Sequence, residues 1–403
     1  MDYLLPYGLE WLNLLVRWLH IITGIAWIGA SFYFVWLDNT IRPPAAGSDL
    51  AKKGVMGELW AVHGGGFYNP QKYLVAPAEL PKELHWFKWE AYSTWLSGFA
   101  LLTIVYYFNA QAMMVDRSVA DLTTWQAVGI GIGSLVVGWT VYDLLCRSPL
   151  GKHDLAMGVV MWAFLVGSAY VLTHYLSGRA AYIHVGAMIG SMMVGNVLML
   201  IIPGQRKMVN AMLAGQKPDP VHGLKAKQRS VHNNYFTLPV LFIMISNHYA
   251  MTYRHAQAWA VLGVIMAAGV FIRHFFNLKH KGRIEYRYPA IGVALLVALA
   301  VWIAPKPPVA AAPNADGGQF AHVQQIVTQR CVACHSAHPT QPGFASAPLG
   351  VALDTPAQIG QHAQKIYQQA VQLKAMPLAN LTNMTDAERA AIGAWFASGA
   401  KTQ

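Results

Sequence analysis

The stretch "ALLVALAVWIAPKPPVAAAPNADGGQFAHVQQIVTQRCVACH", residues 294–335, joins three kinds of chain. It opens on an apolar run of the kind that crosses a bilayer. It then passes through a Pro/Ala/Gly-rich linker over residues 304–318 and enters a polar segment. That segment ends on Cys331-Val332-Ala333-Cys334-His335, the spacing of a c-type haem attachment site. Cys331 and Cys334 would form thioethers to the porphyrin, and His335 would ligate the iron. Half of a zinc site is the rival reading, but no second Cys pair follows. The chain thus divides into a membrane part, residues 1–304, a linker, residues 305–318, and a small soluble tail, residues 319–403.

Working outward, the whole 403-residue chain is 55% hydrophobic and only 12% charged, too apolar for an ordinary soluble protein. The formal charge of +11 does not point to nucleic acid, because the basic residues sit in short loops between apolar runs. Three cysteines exclude a disulfide framework, and Cys146 reads as a small buried hydrophobe. The N-terminal apolar stretch is too long and aromatic for a signal peptide and reads as a retained span.

Eight runs have the length needed for a bilayer: about 9–37, 90–109, 126–146, 155–176, 182–202, 235–253, 256–276 and 287–304. No internal repeat is visible. The fold class expected is therefore all-α, an eight-span bundle followed by a small cytochrome c-like domain. Spans six and seven, joined by Tyr253-Arg254-His255, should form a tight hairpin, with Pro239 breaking the first turns of span six. The loops after spans one, three, five and seven carry eighteen Lys and Arg, against Arg117, Arg179 and Arg254 in the alternate loops. The positive-inside tendency makes the first set cytoplasmic. Both termini then lie on the periplasmic side of a bacterial inner membrane, where c-type haem is attached.

In the tail, "LKAMPLANLTNMT" offers Met376 and Met384 as sixth iron ligands, and Met376, in a loop before Pro377, is preferred. Thr385-Asp386-Ala387-Glu388 reads as a capped helix start. That helix, bearing Ile392, Trp395 and Phe396, should pack on the helix of residues 319–330.

Ionisable groups within spans are costly and are functional candidates. His20, His174, His184 and His248 are candidate ligands for a second haem, of b type, or for a metal. His274 lies near the other end of span seven. Each histidine taken singly is as readily an interhelical hydrogen-bonding group. Arg17, Asp143, Asn196, Asn233, Asn234 and Asn247 serve either as helix glue or as the lining of a polar cavity. "GELWAVHGGGFYNPQKY", residues 57–73, reads as a tight hairpin at the membrane surface. In "QRSVHNNYFTLPVLFIMISNHY", residues 228–249, the amide and imidazole groups suit a planar heterocycle rich in N–H and C=O. The catalytic candidates there are His232, Asn233, Asn234 and His248.

"RWLHIITGIAWIGASFYFVWLDN", "HWFKWEAYSTWLSG", "HVGAMIGSMMVGNVLMLIIPGQRKMV", "QRSVHNNYFTLPVLF" and "KAMPLANLTNMTDAER" together resemble the bacterial membrane-bound urate oxidases. In that family an eight-span domain is fused to a cytochrome c, and the likeness runs along essentially the whole chain. The resemblance implies oxidation of urate to 5-hydroxyisourate by water. Electrons would pass through the cytochrome toward a downstream cytochrome c or terminal oxidase, without hydrogen peroxide. It carries no residue roles for the membrane part. Urate entering from the cytoplasm would leave its electrons a bilayer away from the tail, which motivates the second redox centre. Two rivals stand beside this reading: a quinol-oxidising cytochrome subunit, and a urate or purine transporter with a fused cytochrome. The transporter lacks the expected repeat.

Overall fold

The computed structural model describes residues 4–304, 318–341, 344 and 346–402. Residues 305–317 of the proposed linker lie outside these. The chain is mostly helical. Helix α1 spans Leu4–Thr40, and α2 spans Trp89–Leu102 and continues as a wide π-type turn, Thr103–Tyr107. Then come α3 (Thr124–Arg147), α4 (Asp154–Thr173) and α5 (Gly178–Gly195). A second π-type turn, Asn196–Ile201, leads into α6 (Ile202–Leu213). The bundle closes with α7 (Pro220–Ser246), α8 (Ala258–His280) and α9 (Arg287–Trp302).

Among the described residues, five helical segments are long and apolar enough to cross a membrane: Tyr7–Thr40, Thr124–Arg147, Asp154–Thr173, Gly178–Leu213 and Ala258–His280. Aliphatic side chains on the outside of the bundle, among them Leu15, Ile22, Val136 and Leu144, are exposed as a membrane protein requires. The remaining expected spans differ in physical detail. α2 changes its winding before it is long enough, α9 has 16 residues, and α7 is polar through its first half.

α7 corrects the sequence reading. Its start is not near residue 235 but at Pro220, where the Asp219 carboxylate accepts from the Val221 N–H at 2.9 Å. Pro239 does not break the helix; it packs beside Gly269 of α8, where there is room for its ring. α7 ends at Ser246, so the link to α8 is not three residues long. It runs through Asn247–Gln257 with one short helical turn, Ala250–Tyr253.

α5 lies at the centre, against α2, α3, α4 and α7. Its sequence, GRAAYIHVGAMIGSMMVG, has small residues where neighbours come close. A Cβ on Gly178 would stand 2.0 Å from the Tyr253 carbonyl oxygen, and one on Gly131 of α3 would stand 2.4 Å from His184 Nε2. The start of α5 is tied down on both sides. The Ser177 hydroxyl donates to the Met113 carbonyl at 2.7 Å, and the Tyr182 hydroxyl donates to the Ala258 carbonyl at 2.6 Å.

Two short antiparallel ribbons follow α1. β1 (Val55–Glu58) pairs with β4 (Gln71–Tyr73), and β2 (Ala61–His63) pairs with β3 (Gly66–Tyr68). Gly64 and Gly65 turn the inner hairpin with positive φ, as the glycine run suggested.

Residues 318–402 form a separate helical unit with its own core. Helix α10 (Gly318–Arg330) and helix α11 (Asp386–Ala397) cross there, with Phe320 against Trp395 and with Val323, Val327 and Ile392 buried. Thr385 and Glu388 form the expected capping box. The turn Leu378–Asn380 rests on the bundle at Ala110–Met113.

Two measurements probe these contacts. Gly178→Ala should destabilise the bundle by about 1–3 kcal/mol in detergent thermal unfolding, because the opposing atom is backbone. In the tail, burial pushes the Glu388 carboxyl up, but bonds from Thr385 and Arg330 outweigh it and hold it below the ordinary 4.5. That stabilisation is present at neutral pH and lost as the carboxylate protonates. Tail unfolding followed by Trp395 fluorescence should therefore weaken on acidification below 4.5, and less so in Glu388→Gln.

Candidate functional site

Two sites emerge at opposite ends of the bundle. In the tail, Cys331, Cys334 and His335 occupy the turn that ends α10. The Val351 carbonyl accepts from His335 Nδ1 at 2.9 Å, so Nε2 is the ring nitrogen not used in that bond. Burial pushes the Cys331 thiol up to about 12 and raises that of Cys334 too. They lack the low-pKa character of a catalytic cysteine.

The methionine loop is stitched to this turn. Arg330, adjacent to Cys331, donates to the Thr382 carbonyl at 2.5 Å and pairs with Glu388 at 2.9 Å. The Thr382 hydroxyl returns a bond to the Arg330 carbonyl at 2.9 Å. Arg389 is buried and donates to the Met376 carbonyl at 2.7 Å and to that of Ala370. Met384 is buried in the tail core, whereas Met376 sits half-exposed in the loop.

The second site is a cavity of about 910 Å³ between α1, α2, α7 and the α5–α6 junction, closed by the 73–87 loop. Its walls carry aromatic rings, Trp27, Phe34 and Trp86, and polar groups on three helices: Glu90, Gln205, Ser230 and Asn233. Ser230, Asn233 and Thr237 share one face of α7 by their i, i+3, i+7 spacing. The Glu90 Oε2 atom is buried and has no hydrogen-bond partner among the described residues.

A polar chain runs from Asn233 away from the cavity. Asn196, at the π-type turn, donates to Asn233 Oδ1 and to the Tyr142 hydroxyl, each at 2.8 Å. Having accepted there, the Tyr142 hydroxyl donates to His232 Nδ1 at 2.9 Å. Arg229 donates to Asn196 Oδ1 at 3.1 Å and pairs with Asp143 at 2.7 Å. Asp143 also pairs with the exposed Arg147 at 2.7 Å. Such a chain in an apolar bundle is favourable because its members satisfy one another.

The candidates read from the sequence separate in space. Asn233 lines the cavity and His232 lies behind it. Asn234 faces α8, accepting from Arg273 Nε at 3.0 Å and Asn277 Nδ2 at 2.8 Å. His248 is exposed at the far end, so it does not share a site with His232. Cys146 is only half-buried and lies 3.7 Å from His232 Nδ1, a polar neighbour where a purely apolar role was expected.

The four imidazoles proposed as ligands do not form a set. His20 Nδ1 contacts the Thr94 carbonyl and Ser97 hydroxyl, both at 3.1 Å. His174 is exposed and bonds its own helix at Tyr170. His184 donates from Nδ1 to the Ala180 carbonyl at 2.8 Å and accepts at Nε2 from the Tyr107 hydroxyl at 3.3 Å. His274 accepts from the Tyr235 hydroxyl at 2.7 Å. Among the described residues no three His, Cys, Asp or Glu side chains converge as a metal would need.

Sequence reasoning passed over Glu90, Trp27, Trp86 and Ser230. Glu90 carried a usable signal, a carboxylate in the first turn of an apolar span. The others became visible only once four separate segments surrounded one space.

Comparison with known proteins gives one match. The family described as urate oxidase N-terminal matches residues 6–304, the bundle with its cavity. Neither a curated protein nor a solved structure matches the chain at a significant level.

The polar chain makes a stability prediction. Asp143→Asn leaves the Arg229 guanidinium, 3% exposed, without its counter-charge. It should cost about 3–5 kcal/mol in detergent unfolding. Arg147→Ala removes a 68%-exposed partner and should cost under about 1 kcal/mol.

Proposed function

The chain belongs to the urate oxidase N-terminal family, and from that premise we propose that it is a membrane-bound urate oxidase whose tail is a cytochrome c. Urate is oxidised to 5-hydroxyisourate in the cavity, with water as the oxygen source. The observation that carries the reading is the joining, on one chain, of a urate oxidase family bundle to a tail bearing Cys331-x-x-Cys334-His335.

The tail residues fit haem c. The Val351 bond occupies His335 Nδ1 and leaves Nε2 for a metal, and the two cysteines are neighbours on the same turn. Cys331, Cys334 and His335 would hold the group, and Met376, in a loop fixed by Arg389, would be a further donor to the iron. Haem c would supply a one-electron acceptor and pass electrons to a downstream cytochrome c or terminal oxidase. Met384 is taken up by the tail core and is the poorer donor.

In the cavity the residues have separate tasks. Trp27, Phe34 and Trp86 present ring faces to a planar purine. Ser230, Asn233 and Gln205 match its alternating C=O and N–H groups. Asn233 is held at Nδ2 by the Met193 carbonyl, 3.0 Å away, and so keeps its position as substrate arrives.

We assign the cavity mouth to the cytoplasmic side and the tail to the periplasm of a bacterial inner membrane, with eight spans between. Two features support this. The cavity lies at the end of the bundle with the basic loops, and the tail rests at the other end, near Asp116, His174 and Arg254. α2 and its π-type turn cover the distance, about 27 Å at 1.5 Å per residue. Aromatic rings run along that length. Trp95 packs in one cluster with Trp27 and Trp86, and stacks on Phe99 at 5.4 Å. Phe99 meets Tyr107 at 6.4 Å, and Tyr107 meets His184 at 5.8 Å. With His184 engaged at both nitrogens, this column is a better route for electrons than a metal among the four histidines.

Anaerobic urate added to the oxidised protein should reduce the haem, with the absorbance change of a c-type centre. A pyridine haemochrome spectrum should show c-type haem alone. His335→Ala should abolish the reduction, and Met376→Ala should alter the axial-ligand band while covalent haem is retained. Reduction by quinol but not by urate would favour a respiratory subunit.

A further inference from the structure

One carboxylate lining the cavity has an oxygen left without a hydrogen-bond partner among the described residues. Glu90 lines the wall at the first turn of α2, and its Oε2 is buried without a partner among the described residues. A carboxylate in an apolar protein is ordinarily paired, as Asp143 is with Arg229 and Asp116 is with Arg254. Glu90 makes no such pair among the described residues, yet it stands among Trp27, Phe34 and Trp86. The other lining carboxylate, Glu79, is exposed on the covering loop, and so is the lining imidazole of His85. Neither is held in the bundle wall.

We infer that Glu90 is the catalytic base of the cavity, acting on the water that adds to the oxidised purine. The inference rests on the urate reading above. The balance is as follows. The urate monoanion gives up two electrons, one at a time, to a ferric haem acceptor that is re-oxidised between the two transfers. This leaves a cationic, electrophilic heterocycle. Water then forms a C–O bond at C5, one water O–H bond breaks, and Glu90 takes that proton to become a carboxylic acid. Neutral 5-hydroxyisourate leaves, and the proton is returned to solvent.

The position of this charge also bears on the electron transfer. A carboxylate repels the monoanion in the ground state and attracts the cation formed on oxidation. Its interaction energy therefore changes sign along the reaction, and only that difference accelerates the chemical step. Beside aromatic walls the effect is larger than in bulk solvent. Removing the charge should then act on binding and turnover in opposite directions, which loss of structure does not do.

The test compares full-length wild type, Glu90→Gln and Glu90→Asp. Urate binding to the reduced protein is read by quenching of tryptophan fluorescence, and 5-hydroxyisourate formation is read by its absorbance under steady-state turnover with excess ferricyanide as electron acceptor. Glu90→Gln is expected to slow product formation by about 10²-fold or more. It should bind urate as tightly as wild type or more tightly. Glu90→Asp should recover part of the rate. A Glu90→Gln rate within twofold of wild type overturns the assignment. So does a loss of rate matched by an equal loss of urate affinity. Wild-type haem that urate does not reduce overturns the urate reading, and the role of Glu90 with it.

Discussion

Everything in the bundle depends on how closely other backbones can approach α5. Helices in a hydrocarbon solvent gain nothing from hiding apolar surface, so they associate through contact at short range and through internal hydrogen bonds. The small residues of Gly178–Gly195, and Gly131 facing them from α3, allow that contact. α3, α5 and α7 are thereby near enough for Tyr142, Asn196, Arg229 and Asn233 to bond one another directly. Bulkier residues at these positions would move the helices apart. The polar groups would then be left unpaired in an apolar medium, at a cost of a few kcal/mol each.

The same packing separates two kinds of polar group. Most are satisfied: Arg229 by Asp143 and Asn196, Ser177 by Met113, Tyr182 by Ala258. These hold the helices in register. A few sit at the cavity wall with capacity to spare, and Glu90 is the sharpest case. A cavity whose frame is rigid and whose lining is incompletely bonded is preorganised for a polar, planar guest. The tail follows a related plan, with Arg330 and Arg389 pinning the 376–384 loop to the Cys-x-x-Cys-His turn through backbone carbonyls. In the tail charged side chains set backbone position, whereas in the bundle Arg229 and Asp143 are tied to other side chains.

Much of this was legible from residues alone. The motif at Cys331–His335, the capping box at Thr385 and Glu388, the hairpin at Gly64–Gly65 and the apolar segments are local patterns, each set by a few neighbouring residues. The start of α7 was not legible from hydropathy, because its first half is polar. Its true signal was Asp219-Pro220, a cap followed by a proline. The neighbours of the histidines were not legible for a different reason. Similar depth along separate helices fixes one coordinate only, and the helical phases of His20, His174, His184 and His248 point them to different neighbours.

The sequence by itself thus determined that the chain is helical and apolar, that it ends in a polar unit with a haem-type motif, and which family it resembles. The first two follow from composition and short-range spacing and the third from the likeness of whole segments, none of which depends on how helices are arranged. Only the tertiary structure decided that Asn233 faces a cavity while Asn234 faces α8, that Cys146 neighbours His232, and that Glu90 Oε2 has no partner among the described residues in a cavity with aromatic walls. Adjacent residues on a helix differ by about 100° in direction. Which of them meets a partner is therefore fixed by the rotation of each helix against its neighbours, and in this bundle by the close contacts at α5.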